Sequence, residues 1–257
     1  MNNKAIKILG LILFPFLLGL IFYIAFSVDY EQPYKITLIE INGGKHLTNE
    51  KYFSYAGLND KLKYDELTLP IIKSRLEKHP YVKRAEVLYV GNGKVEVSII
   101  EKDFWAILIT GDREFVLTQN FEVLPVLKYS REMFYPVITV KTLAGKLKEY
   151  DYVKKNKTLK PVFKLLEASK MINPQLYDNL SEVNYLNNGE INLYFTFADY
   201  ELKMNLKNVI EELYDFNELW KYIKHNSVSD EIEYIDLRFN GRIFLGMKNN
   251  LNAGSET

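Results

Sequence analysis

Residues 79–101 read HPYVKRAEVLYVGNGKVEVSIIE. In the second half, Val95, Val97 and Ile99 alternate with Glu96 and Ser98, the period of a strand with one buried face. Ala85–Val90 forms the opposite arm. Gly91-Asn92-Gly93 lies between them, and glycine reaches positive φ without steric cost, so the stretch predicts a β-hairpin. Upstream, Thr68 can cap a helix with an apolar stripe of Leu69, Ile72 and Leu76. His79-Pro80 ends it, because a residue before proline avoids the helical region. Further back, Thr48 can cap a short helix through Ala56, with Glu50 in its first turn and Gly57 as its stop. Residues 35–41, KITLIEI, read as a strand closed by the turn Asn42-Gly43-Gly44. Residues 35–103 therefore read β-α-α-β-β, with helices laid on a three-stranded sheet.

From Phe104 the pattern becomes richer in strands. Strand-like pieces occur at Trp105–Ile109, Glu114–Leu117, Phe121–Leu124 and Pro136–Val140. A helix is expected at 161–172, with Pro161 in its first turn and Asn173-Pro174 closing it. Glu182–Leu186 and Ile191–Thr196 flank a turn at Asn188-Gly189. A second helix is expected over 206–224, with Leu206, Ile210, Leu213, Phe216, Trp220 and Ile223 on one side. Glu231–Phe239 and Arg242–Met247 finish the domain around Asn240-Gly241. The fold expected for 104–248 is thus a β-rich domain with two helices, within an α+β chain. The tail 249–257, NNLNAGSET, has no apolar pattern and reads as disordered.

At the other end, residues 8–28 (ILGLILFPFLLGLIFYIAFSV) carry no charge over 21 positions. At ~1.5 Å per residue such a helix covers the ~30 Å hydrocarbon core of a bilayer. Lys4 and Lys7 precede it, and Asp29 and Glu31 follow. The positive-inside tendency puts residues 1–7 in the cytoplasm and the bulk outside. A cleaved signal peptide is the competing reading. It calls for an apolar region of ~7–15 residues and a small-x-small site, which Ala25-Phe26-Ser27 meets poorly.

The 257 residues carry 33 basic and 33 acidic side chains. That balance gives no basic excess of the kind nucleic acid calls for. The absence of cysteine removes disulfides and thiolate zinc sites. His46, His79 and His225 have no metal spacing and read as loop or helix-end residues. No GxSxG elbow or SxxK pair is present. Gly91-Asn92-Gly93-Lys94 lacks the other elements of a phosphate loop. Glu211-Glu212 reads as a solvated helix face. Nothing in the sequence points to an enzyme or a cofactor.

These residues together resemble the FtsQ/DivIB cell-division family. The resemblance rests on HPYVKRAEV (79–87) and on Ile235–Phe239 within YIDLRFNGRI (234–243). Arg113–Pro125 is a softer match, and nearly the whole chain is covered. The chain departs from the family at Tyr81, commonly Trp, at Phe104, commonly Pro, and at Asn92, often Pro. The resemblance implies a single-pass protein of the cytoplasmic membrane at the division septum. It implies a membrane-proximal POTRA domain, then a β domain, acting as a non-enzymatic divisome scaffold. In the family the POTRA region is associated with localisation and upstream partners. The carboxyl-terminal strands dock a complex of two coiled-coil proteins, FtsB and FtsL, by strand addition.

The terminal hairpin can be tested against that role directly. A two-residue loop at Asn240-Gly241 sets Phe239 opposite Arg242, Leu237 opposite Phe244 and Ile235 opposite Gly246, on a side suited to the core. Asp236, Arg238, Ile243 and Leu245 take the other side, with Met247 beyond. A terminal strand also offers unpaired backbone groups. Either a partner or a helix of the same chain covers that surface. The candidate partner-contacting residues are Phe239, Arg242, Phe244, Leu245 and Met247, with Gly241 and Gly246 admitting another backbone. Asp236 and Arg238 share a face, as an interface pair or a solvated surface pair. Phe104-Trp105 reads as packing between domains. A POTRA-bearing assembly or transport protein for unfolded substrates is the alternative function. That class usually adds a long lipid-facing barrel, for which the chain has no regular strand series.

Overall fold

The computed structural model describes residues 3–27, 34–128, 130, 131, 133–186, 189–224, 228–239 and 241–248. The tail 249–257, Asp29, Glu31, His225 and the turn residues Asn188 and Asn240 lie outside them, as do the first two residues of the expected cytoplasmic tail. Helix α1 (Asn3–Ser27) runs 25 residues through Pro15. Its side chains are described only at 11 and 13–24. Among the described residues no helix is long and apolar enough to cross a membrane.

A small sheet follows. It comprises β1 (Leu38–Asn42), β2 (Val82–Gly91) and β3 (Lys94–Glu101), in the order β1-β3-β2. The hairpin pairs β2 with β3 antiparallel, and β1 lies parallel to β3. A parallel partner requires a crossover. Helices α2 (Asn49–Tyr55) and α3 (Leu69–Glu77) lie on that path. Val95, Val97 and Ile99 are buried as their alternation demands, against Ile72 and Leu76 of α3. Thr68 caps α3, its hydroxyl accepting from the Ile71 N–H at 3.2 Å. Thr48 stands at the cap of α2, but its side chain accepts no capping bond. A 3₁₀ segment at Lys61–Glu66, opened by Asp60 accepting from the Leu62 N–H, was not legible from periodicity.

The second sheet has nine strands. They are β4 (Phe104–Thr110), β5 (Arg113–Thr118), β6 (Val123–Pro125), β7 (Val137–Val140), β8 (Leu180–Tyr185), β9 (Glu190–Phe195), β10 (Glu201–Asn205), β11 (Ile232–Phe239) and β12 (Arg242–Met247). Their order is β12-β11-β10-β9-β8-β7-β4-β5-β6, so β12 and β6 form the two ends. Helices α4 (Leu159–Ile172) and α6 (Val209–Ile223) pack together and close the larger core over this sheet. Two short helices, α5 (Pro174–Asp178) and α7 (Val228–Glu231), bring the total beyond the two expected. Asn173 ends α4 and at once caps α5, its side chain accepting from the Gln175 N–H.

Three readings need correction. Strand β10 is absent from the sequence reading because ELKMN carries only two apolar residues, Leu202 and Met204, both buried. Ile210 is exposed, because α6 starts at Val209 and that residue takes the inward position. Glu212 is buried rather than solvated. It accepts the Asn205 N–H at 2.8 Å, and burial raises its pKa.

Successive residues of β4 point to opposite sides and belong to different cores. Phe104 enters the smaller core and stacks on His46 at 3.9 Å. Trp105 enters the larger one and stacks on Phe163 at 5.6 Å. Beneath Phe104, the buried Glu101 carboxylate accepts from the Lys45 and His46 N–H groups, from Nδ1 of His46 at 2.5 Å, and from the Tyr52 hydroxyl. Nε2 of His46 meets the Tyr135 hydroxyl at 2.9 Å. Burial alone would raise the Glu101 pKa, but these donors outweigh it and hold the carboxyl below its ordinary value.

His79 ends α3 as the sequence suggests, and it is buried among Tyr52, Tyr55 and Tyr81. Its Nδ1 accepts the Tyr81 N–H at 3.1 Å, which fixes a neutral ring. Burial lowers its pKa from 6.5 to about 4, with only a small opposing pull from Glu101. The unfolded chain therefore binds a proton at His79 that the folded chain refuses throughout that interval. Stability should fall by on the order of 3 kcal/mol as pH drops from ~6.5 to ~4. Glu101 adds to the loss below its ordinary pKa of ~4.3, since its contribution disappears as the carboxylate protonates. Urea unfolding midpoints across this range should show the decline, and His79→Asn, which keeps an acceptor but cannot titrate, should flatten it. A flat wild-type profile would refute the assignment.

Candidate functional site

The terminal hairpin IEYIDLRF…RIFLGM is where the larger sheet stops. Strand β11 pairs parallel with β10 on one side and antiparallel with β12 on the other. Phe239 faces Arg242 as expected. Beyond that pair the register moves by one: Asp236 faces Phe244, Ile235 faces Leu245 and Tyr234 faces Gly246. An irregularity between Asp236 and Phe239 causes the shift. Leu237 and Arg238 together oppose the single residue Ile243, so β11 carries an extra residue there.

The shift redistributes the faces. Leu245 now follows Ile235 onto the side of the helices, while Phe244 follows Asp236 onto the opposite side. Helix α6 packs on β10 and β11, and Ile235 and Leu237 are buried. The cover does not extend to β12, where Ile243, Phe244, Leu245 and Met247 are all between 39% and 47% exposed. No helix seals either face of this strand among the described residues. Among the described residues no strand lies beside its outer edge. Phe239 is exposed and meets Phe244 edge-on at 5.1 Å, and Arg242 is exposed.

The two glycines differ from their expected use. Gly241 adopts φ 67°, the left-handed conformation a tight hairpin turn demands. Gly246 gives its space to this same chain: a Cβ there would run into the Tyr234 ring. Its role in admitting a second backbone is therefore withdrawn on that face.

Asp236 and Arg238 are not a solvated pair. Asp236 is buried, and Arg238 grips it with Nε at 2.9 Å and Nη2 at 2.7 Å. The remaining nitrogen, Nη1, reaches Glu190 of β9 at 2.8 Å. The Arg238 bonds hold the Asp236 pKa down, more strongly than burial raises it. Lys203 of β10 lies over the Tyr234 ring at 4.0 Å. This polar lattice ties β9, β10 and β11 together on the face opposite the helices, and stiffens the strand that carries β12.

A second concavity of about 560 Å³ opens beside the seam between the sheets, lined among others by His46, Glu101, Asp103, Tyr135, Lys170 and Tyr177. Its buried groups are committed to the fold. Glu101 and His46 bond as described above, and the Tyr177 hydroxyl donates to the Trp105 carbonyl at 2.9 Å, with burial pushing its pKa up to about 12. Among the described residues no three His, Asp or Glu side chains are grouped to hold a metal ion.

The profile of the family "Cell division protein FtsQ/DivIB, C-terminal" matches residues 106–238, just over half of the chain. This chain belongs to the FtsQ/DivIB family. Membership assigns it a role in cell division. The matched segment runs from β4 to the end of the Asp236–Arg238 pair. A solved structure of the major extracytoplasmic domain of the trans isomer of bacterial cell division protein DivIB from Geobacillus stearothermophilus is similar over 49% of this chain and 98% of that one, at 15% identity and a TM-score of 0.30. No curated protein matches the chain.

Arg238→Leu should destabilise this FtsQ/DivIB chain by about 2 kcal/mol, because it leaves the buried Asp236 carboxylate without its charged partner. Arg238→Lys should recover only part of the loss, since a point charge cannot reproduce the guanidinium fork. Urea unfolding of the three proteins measures both effects, and equal midpoints would refute the bridging role.

Proposed function

We propose that the chain is a non-enzymatic, single-pass scaffold of the bacterial divisome that recruits division proteins through its extracytoplasmic part. The observation that carries this reading is the end of the larger sheet: among the described residues β12 has an unpaired outer edge and exposed apolar side chains on both faces. An extended partner segment added there would complete the backbone ladder and cover Phe244 on one side and Leu245 on the other. The partner is an FtsB/FtsL-type coiled-coil complex, as in the family. Phe239, Gly241, Arg242, Phe244, Leu245 and Met247 form the contact region. Gly241 acts by shaping the turn.

Residues 8–28 supply the anchor. The reading rests on 21 uncharged positions, and on the apolar side chains described from Leu11 to Ile24, all exposed around the helix. A helix apolar on every side requires an apolar surrounding. Lys4 and Lys7 then lie in the cytoplasm, residues 35–103 form the POTRA domain outside, used by upstream partners, and 104–248 form the β domain at the septum.

Phe244→Lys should weaken binding of the partner complex at least ~30-fold, the scale of losing a central aromatic contact, and leave folding intact because the ring is half exposed. Calorimetry with the purified partner complex tests this, and unchanged affinity would reject the edge. Exchanging residues 8–28 for an unrelated spanning helix should leave affinity within about threefold. Loss of binding in that chimera would make the helix a recognition element.

A further inference from the structure

In a chain with no net charge, five lysines fall within eleven residues: Lys154, Lys155, Lys157, Lys160 and Lys164, with no acidic residue among them. Among the described residues none of the five has a carboxylate within ion-pair distance, whereas Lys94, Lys102 and Lys221 are each paired. Three of them, Lys154, Lys160 and Lys164, rim a concavity of about 390 Å³ together with Pro161 and one carboxylate, Glu167, over a floor of Phe121, Phe163 and Leu206, so the lysines outnumber the acid three to one. The first turn of α4 forms one wall, so the positive end of a 14-residue helix adds to the lysine charge.

The floor is built at a cost in backbone conformation. Phe121 adopts φ 65°, a region that a bulky side chain rarely enters. The turn is fixed there by two bonds: its N–H donates to the Thr118 carbonyl at 2.9 Å, and its carbonyl accepts from the Val153 N–H at 2.8 Å. The result is a ring held edge-on to Phe163 at 4.9 Å, with the Lys154 ammonium 5.4 Å from its centre. Such a conformation costs on the order of 1–3 kcal/mol and persists here because these contacts hold it.

We propose that this concavity is a second docking site, taking an acidic segment of a partner protein that inserts one aromatic or branched aliphatic side chain. The lysines select the charge, and the apolar floor selects the inserted side chain. Phe163 and Leu206 are already packed in the core and Phe121 is half-buried against them, so the floor is a shallow apolar patch. A purely polar anion would leave that patch facing water, and charge alone does not complete the site. None of its lining residues belongs to β11 or β12, and the site does not rest on the edge-docking reading.

The test uses the full chain in neutral detergent micelles and three fluorescein-labelled nine-residue peptides. One is Asp/Glu-rich with a central Phe, the second has Ala in place of that Phe, and the third is Lys/Arg-rich with a central Phe. Anisotropy titrations should show the first binding at least ~10-fold tighter than either control. Simultaneous Lys154→Glu, Lys160→Glu and Lys164→Glu should abolish that binding, and the corresponding three Lys→Arg changes should retain it. All three lysines are exposed, so both variants should keep the wild-type circular dichroism and melting temperature. Phe244→Lys should leave the peptide affinity unchanged. Equal binding of the three peptides, insensitivity to charge reversal, displacement by polyphosphate at matched charge, or loss of binding in Phe244→Lys would each overturn the proposal.

Discussion

An open β-sheet has two ends, and at each end a row of backbone donors and acceptors lacks a neighbour. In this protein that constraint organises the larger domain. The nine strands do not close on themselves, so the ladder that begins at β6 has to stop at β12. Helices α4 and α6 cover the middle of the sheet but not its last strand. Strand β12 therefore keeps apolar side chains on both faces and hydrogen-bonding capacity along its edge. These are the conditions under which a sheet accepts another chain.

An edge can recognise a partner only if it is held still. Two features supply the stiffness. Arg238 engages Asp236 on its own strand and Glu190 two strands away, so the penultimate strand is braced across the sheet rather than through its neighbour alone. The extra residue in β11 opposite Ile243 sets which of the last residues face the helices. At the other end, Phe104 and Trp105 lock the smaller sheet to the larger by sending adjacent side chains into different cores. The Glu101–His46–Tyr52 cluster satisfies the polar groups that this seam buries.

Charge is distributed unevenly despite a net charge of zero. Much of it is neutralised in local pairs, such as Lys94 with Glu40 and Glu96. The lysine-rich stretch before α4 is different, and it borders a strained aromatic turn. Two surfaces of the larger domain therefore differ in chemistry: β12 offers backbone and apolar side chains, and the concavity beside α4 a mainly cationic rim around an apolar floor.

The sequence alone determined the elements with strong local signals. The alternation in Lys94–Glu101, the Gly91-Asn92-Gly93 turn, the Thr68 cap and the part of the helical stripe from Leu213 to Ile223 are set by neighbours within a few residues, and all are present. The run from Ile8 to Val28 and the two family motifs were equally readable. Tertiary structure decided what depends on distant partners. Strand β10 has two apolar residues and becomes a strand only because β9 and β11 flank it. Glu212 turns inward because the Asn205 N–H needs an acceptor. Arg242–Met247 was legible as a strand, but its faces were not, because a single extra residue in β11 moves the register by one and no periodicity in β12 records it. Pairing is a property of two strands, and a sequence read along one of them carries only half of the information.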